Sequence, residues 1–284
     1  MTFSIARVAY PQLRGDAVSA DDTADLAKFD PDFTEGIKNK VGGFIKRYFR
    51  SEVRGLDSFP ASGGALVVSN HSGGALTPDV LVFGTAFYDE FGYDRPLYTL
   101  AHDQVYIGPF ADWLPRAGVI PATRDNAANA LRSNGIVLVF PGGDFDSYRP
   151  TSAENVIDFN GRTGYVRTAI AARVPIVPAV SIGAQEGQLF LTRGTGLAKR
   201  LGLKRLRMEI LPISVGFPFG LSVLIFPPNL PLPTKVVTQV LEPIDVAARY
   251  GDDPDVDEVD NHVRAVMQAA LDQLASERRF PVLG

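Results

Sequence analysis

The chain has no cysteine, and its 284 residues include only three histidines and one tryptophan. Without cysteine there is no disulfide, no thiolate metal ligand and no cysteine nucleophile, a composition that suits a reducing compartment. Three scattered histidines give a metal enzyme too few ligands to work from, so no metal site is expected. Gly-x-Ser-x-Gly is missing, which removes the nucleophile elbow of a serine hydrolase. Walker-type, His-Glu-x-x-His and Gly-x-Gly-x-x-Gly patterns are missing too. No apolar run follows a basic start in "MTFSIARVAYPQLRGDAVSADD", so no secretory signal is read there and the default expectation is cytoplasmic. Positive charge is not in excess either: the net charge of −4 argues against a general nucleic-acid binder.

What is present is enough apolar residue, 45%, to bury a core in one large domain. Charge is unevenly spread. Lys38, Lys40, Lys46, Arg47, Arg50 and Arg54 face one acid, Glu52, between 38 and 54. Arg193, Lys199, Arg200, Lys204, Arg205 and Arg207 face none between 193 and 207, whereas acids crowd "DDPDVDEVD" at 252–260.

Residues 1–30 show no period and read as an irregular lead-in. From Asp32, Phe33, Ile37, Val41, Phe44, Ile45, Tyr48 and Phe49 recur at helical spacing among basic residues. This basic amphipathic helix either covers the domain's own core or lies on an anionic membrane. Residues 1–57 are therefore expected as a lead-in plus helix, ahead of a main domain over 58–284.

In that domain apolar runs alternate with helical patterns. Expected strands are 65–69, 97–101, 118–122, 136–140, 175–180, 207–211 and 236–241; expected helices lie near 79–90, 125–133 and 161–173. Alternation of this kind implies an α/β fold with a largely parallel central sheet flanked by helices, functional groups gathering at the strands' carboxyl ends. A C-terminal helix from about Asp253 follows from the 3.6-residue period of Val256, Val259, Val263, Val266, Ala270, Leu271 and Leu274, with acids in its first turn and Arg278 and Arg279 at its end. "ILPISVGFPFGLSVLIFPPNLPLPT", 210–234, has no charge over a length that could span a bilayer, but its prolines and glycines rule against a simple helix. It reads either as internal sheet packing or as an apolar surface or tunnel for acyl chains that dips into lipid.

"ALVVSNHSGGALTPDV" puts His71 where a strand hands over to a loop. "TPDV" reads as a helix start, with Thr77 as N-cap, Pro78 at the first helical position and Asp79 in the first turn. Glycines between them let the chain fold tightly enough for His71 and Asp79 to hydrogen-bond. An imidazole oriented by a carboxylate can take a proton from a hydroxyl near neutral pH, and with no protein nucleophile such a pair suits attack of a substrate alcohol on an activated acyl group. Asp79 could instead serve only the helix dipole. His102 is expected to be a satisfied structural histidine, and His262 a surface residue of the last helix.

"NHSGGALTPD", "GVIPATRDN", "VLVFPGGDFD" and "VPIVPAV", in that order over about 60–182, resemble the four blocks of the PlsC-like glycerophospholipid acyltransferase family. A looser likeness runs through "NLPLPTKVVTQVLEPID" to about 245. The resemblance implies that His71 is the base, with Asp79 as its partner. The usual pattern is His, four residues, then Asp; Leu76 occupies that place here and Asp79 comes three later. Arg124 matches the arginine that grips the acceptor's phosphate. "FPGG" stands where many members have Phe-Pro-Glu-Gly, so Gly142 replaces the glutamate, as in the branch that resembles diacylglycerol acyltransferases. Asp144 and Arg149 are then candidate surrogates. Arg162, in "NGRTGYVRTAI", resembles the basic helix start after the third block.

The resemblance implies transfer of a fatty acyl group from acyl-CoA or acyl carrier protein to a glycerolipid hydroxyl, in a lysophospholipid or lysophosphatidate, with no cofactor beyond that co-substrate. Backbone donors of Gly142 and Gly143 or near Asn70 are expected to receive the oxyanion. The enzyme is expected to sit peripherally on the inner face of a membrane. A neutral-lipid acyltransferase and a non-catalytic peripheral lipid-binding protein are the alternatives that the residues leave open.

Overall fold

A computed structural model describes residues 25–106, 111–206, 208–280 and 282–283. In chain order the elements are α1 (Pro31–Tyr48), β1 (Glu52–Arg54), β2 (Ala65–Ser69), α2 (Pro78–Phe91), β3 (Leu97–Ala101), α3 (Trp113–Arg116), β4 (Val119–Pro121), α4 (Arg124–Arg132), β5 (Ile136–Val139), α5 (Gly143–Ser147), α6 (Gly164–Ala172), β6 (Ile176–Ile182), β7 (Leu189–Thr192), α7 (Thr195–Arg200), β8 (Ile213–Gly216), β9 (Gly220–Val223), β10 (Val237–Val240), α8 (Val246–Tyr250) and α9 (Val256–Glu277), joined in places by single 3₁₀ turns.

Seven strands form one sheet in the order β1-β10-β6-β2-β5-β3-β4, parallel from β6 to β4. β10 runs antiparallel to β6, and β1 pairs with β10. β2 lies near the middle and is wholly buried, as a strand covered on both faces should be. Its side chains alternate. Leu66 and Val68 pack with Val259, Val263, Met267 and Leu271 of α9, while Ala65 and Val67 pack with Phe83 and Phe87 of α2. The two cores fix the height of the strand, and hence where its carboxyl end emerges.

The mostly parallel α/β architecture, the five parallel strands and the helices at 78–91, 124–132 and 164–172 match the expectations to within a few residues. Three expectations fail. Residues 208–211 form no strand; β7 before them and β8 and β9 after them make a separate antiparallel sheet, β7-β8-β9. The short runs of β8 and β9 escape recognition because their alternation is inverted, with serine inside. Residue 57 is no boundary, since β1 joins the main sheet and α1 packs on α2, where Gly42 meets Thr85 and both Lys38 and Lys46 pair with Asp89. The unpatterned lead-in, residues 1–24, lies outside the described residues. Arg278 does not serve the dipole of α9 but pairs with Glu186. Among the described residues no helix is long and apolar enough to cross a membrane.

Candidate active site

His71 leaves the carboxyl end of β2 beside an amide clamp. Asn70 is 1% exposed; its Nδ2 donates to Ser181 O at 2.8 Å and its Oδ1 accepts from Ser181 N at 2.7 Å, stitching the ends of β2 and β6 together. That side chain is spent inside the protein, where it holds the two strand ends together.

The loop then doubles back. Gly73 and Gly74 have φ of +91° and +72°, and a Cβ on Gly73 would stand 2.6 Å from Pro78 Cδ, so only glycine makes this return. Thr77 precedes α2 in the left-handed region, φ +43°, and forms no side-chain cap, contrary to expectation. A β-branched residue held there stores strain of about 1–3 kcal/mol. The result is the sought contact: His71 Nδ1 lies 2.8 Å from Asp79 Oδ2. Asp79 is buried, and its two oxygens also accept from the N–H groups of Ser72 (2.9 Å) and Val80 (3.0 Å).

A carboxylate only accepts, so Nδ1 carries the proton and Nε2 of the neutral ring keeps its lone pair. The ring is 14% exposed and packs on Phe140, centroids 4.3 Å apart. Burial opposes its charging, but the charge of Asp79, the hydrogen bond to it and the charge of Asp146 outweigh burial and raise its pKa above 6.5.

Asp146 is the residue that the sequence reading missed. It is fully buried near the end of α5, and its Oδ2 accepts from His71 N at 2.5 Å. Its other oxygen pairs with Arg149. Burial pushes its carboxyl up to about 6, opposed by the Arg149 charge and the His71 N–H. A Cβ on Gly142 would collide with the Cβ of Asp146 and lie 2.9 Å from its Cγ, so the Asp146 side chain fills the space that a side chain at 142 would enter. The signal was present in "GGDFDSYR": Asp146 stands three residues before Arg149, the spacing of a one-turn ion pair.

Arg149 and Asp144 change roles accordingly. Arg149 is 1% exposed and donates through Nη1 to Asp146 and to Val156 O at 2.7 Å, while its Nε and Nη2 are buried without a hydrogen-bond partner. Asp144 is exposed and pairs at 3.3 Å with Arg162, whose Nη1 donates to Gly142 O at 2.8 Å. Arg162 thus braces the turn as well as facing solvent. The backbone donors expected to hold an oxyanion are largely committed: His71 N to Asp146, Ser72 N to Asp79, Gly73 N to Gln185 Oε1 at 3.2 Å and Gly143 N to Phe140 O at 2.9 Å.

Arg124 opens α4 behind a true cap, with Thr123 Oγ1 accepting from Asn126 N at 3.1 Å. It is exposed on the same carboxyl edge as His71, but β4 is three strands from β2, about 14 Å at ordinary strand spacing. His102 is exposed at the end of β3 rather than packed away, and His262 lies against Tyr250. A cavity of about 680 Å³ lies elsewhere, lined by Thr151, Gln188, Leu189, Val215 and Phe217 among others, with no residue of the His71–Asp79 loop.

A family model for acyltransferases matches residues 50–182, the span that holds β2, the His71 loop and the Gly142 turn. A protein of Mycobacterium tuberculosis described as uncharacterized is 34% identical over 268 residues, 92% of this chain and 72% of that protein. The chain belongs to the acyltransferase family. A second relative, the mouse "DGAT1/2-independent enzyme synthesizing storage lipids", is 29% identical over 191 residues, 67% of this chain and 55% of the mouse protein. Among solved structures, the 1-acyl-sn-glycerophosphate acyltransferase PlsC of Thermotoga maritima has the same fold, with a TM-score of 0.52, 17% identity and coverage of 85% of this chain and 81% of that one. The acyltransferase is thus PlsC-like in sequence blocks and in architecture.

Proposed function

We propose that this acyltransferase moves a fatty acyl group from acyl-CoA or acyl carrier protein to the hydroxyl of a glycerolipid, with His71 as general base. The observation that carries the proposal is the 2.8 Å contact of His71 Nδ1 with Asp79, which commits one ring nitrogen and leaves Nε2 basic. Nε2 takes the proton of the acceptor hydroxyl as its oxygen attacks the thioester carbonyl. The tetrahedral adduct collapses, the C–S bond breaks, and the imidazolium returns the proton to the departing thiolate. Atoms balance without a cofactor beyond the acyl donor.

Two acceptors fit this chemistry. The PlsC-like blocks favour a lysophospholipid or lysophosphatidate, with Arg124 or Arg162 meeting its phosphate. A neutral acceptor, monoacylglycerol or diacylglycerol, is favoured by one specific observation: Arg149 is 1% exposed and pairs with the buried Asp146, so its guanidinium does not face solvent as a phosphate grip would. The storage-lipid enzyme among the relatives agrees with that second reading. The enzyme then works at the cytoplasmic face of a membrane, where its lipid acceptor resides.

Radiolabelled acyl-CoA and acyl carrier protein, offered with lysophospholipids, glycerol phosphate, monoacylglycerol and diacylglycerol, test this directly. A labelled ester that depends on acceptor, and is lost in His71→Ala, is expected. Free fatty acid without acceptor would make the protein a hydrolase, and no turnover on any pair would favour a non-catalytic lipid binder. Arg124→Ala should weaken a phosphorylated acceptor far more than a neutral one; equal loss on both removes its phosphate role.

A further inference from the structure

β8 and β9 are built inside out. Ser214 and Ser222 are cross-strand partners and both are buried, while Val215, Leu221 and Val223 beside them are exposed. The serine of β9 is satisfied within the protein: Ser222 Oγ donates to Pro227 O at 2.6 Å and accepts from Asn229 Nδ2 at 2.8 Å. Register carries the outer row on to β7, where Leu189 pairs with Val215 and is exposed as well. The adjoining turns add three aromatic rings, Phe217 at 62%, Phe219 at 59% and Phe226 at 68% exposed. A one-sided antiparallel sheet in water turns its polar residues outward; this one does the reverse, and so large an apolar patch marks a contact with an apolar partner.

The margins say which partner. On one side Lys199, Arg200 and Arg205 are exposed, in a stretch with no acid from 193 to 207. On another side Tyr48 Oη donates to Pro231 O at 2.8 Å and Arg50 donates to Pro233 O at 3.0 Å, which ties the basic end of α1, with exposed Arg47, to the base of the same segment. An uncharged centre thus lies between mostly positive margins, with Glu209 exposed past the basic stretch and Glu154 and Glu186 in the cavity beside Leu189, Val215 and Phe217, in a chain whose net charge is −4. A self-complementary dimer through this face would set like charges against each other. An anionic bilayer complements centre and margins together.

We propose that the sheet β7-β8-β9 and its turns form a docking surface for an anionic lipid bilayer. Phe217, Phe219 and Phe226 enter the boundary between headgroups and acyl chains, and Lys199, Arg200 and Arg47 meet the headgroups. The assignment rests on the lipid-surface part of the function proposed above and not on the chemistry at His71.

The test is co-sedimentation of the full chain with vesicles of phosphatidylglycerol and phosphatidylcholine, against vesicles of phosphatidylcholine alone. Wild-type protein is expected to bind the anionic vesicles, and Phe217→Ser/Phe219→Ser to bind them about tenfold or more weakly, with an unchanged melting temperature. Lys199→Glu/Arg200→Glu should erase the preference for anionic lipid while leaving the rings in place. His71→Ala should bind as wild type does, so that docking and chemistry fail separately. The proposal is overturned if wild type ignores anionic vesicles, or if the phenylalanine variant binds them undiminished. It is also overturned if wild type self-associates through these rings and does not bind vesicles, which would make a second copy the occupant.

Discussion

His71 serves two ends that pull in opposite directions with pH. Catalysis needs the neutral ring, whereas the ion pair with Asp79 stabilises the protein through the charged one. A histidine whose folded pKa lies above its unfolded value contributes stability that is whole below about pH 6.5 and lost as pH rises through the folded pKa. The acid limb of log kcat/KM should therefore lie above pH 6.5, and the stability difference between wild type and His71→Gln, by denaturant titration, should shrink across that same interval. His71→Ala should lower kcat by about 10²–10⁴ or more with the fold retained; substantial turnover in the purified variant rejects the base. Asp79→Asn should also slow turnover strongly, and an unchanged rate would return Asp79 to dipole work. Asp146 is a positioning residue, acting through the His71 backbone and through its charge. Asp146→Asn should lower kcat and move the acid limb to lower pH, because one of the charges that raise His71 is gone. A limb left in place beside a reduced active fraction would make Asp146 merely structural. Asp146→Ala strands the buried Arg149 charge and should cost about 3–5 kcal/mol.

The turn between β5 and α5 and the loop after β2 are one construction at the scale of elements. Ser147 Oγ donates to Gly74 O at 2.7 Å, and Gln185 receives Gly73 N–H while its amide donates to Arg149 O, so three strand ends share one knot. Gly142→Glu alone should destabilise, since its Cβ would collide with Asp146. Adding Asp146→Gly, which removes the Cβ that the new side chain would meet, should recover part of that loss, and additive losses in thermal unfolding would show that the two positions do not share a space. The same elements show what was legible. β2, β5 and β6 declare themselves as short apolar runs because they are buried on both faces, and Asp79 is found because a proline and an acid mark a helix start. Asp146 was legible as a one-turn partner for Arg149 but not as a neighbour of His71, because that contact joins it to a strand end 75 residues away. β8 and β9 escaped because they satisfy the two-residue period with its polarity reversed. Thr77 keeps its place before α2 yet not its capping bond, since a left-handed φ swings the hydroxyl away.

At the scale of the whole molecule the core and the site are separable. α9 lies along β6 and seals one face of the sheet with Met267 and Leu271, both fully buried. Leu271→Ala should cost about 2–5 kcal/mol of stability. The pH profile of the protein that remains folded should be unchanged, and a displaced limb would mean that the helix sets the height of His71 as well as covering the sheet. The acids of 252–260 and the basic margins of β7-β8-β9 divide the chain's charge between separate segments. Vesicle binding should accordingly fall as salt is raised, steeply for the electrostatic part and little for the aromatic part.

The exchange at Gly142 also bears on how relatives of this protein are found. A search keyed to glutamate in the third block would pass over any chain that delivers its carboxylate from one helical turn further along. Pairing a glycine there with an aspartate four positions on, and an arginine three beyond that, gives a pattern by which such chains could be gathered.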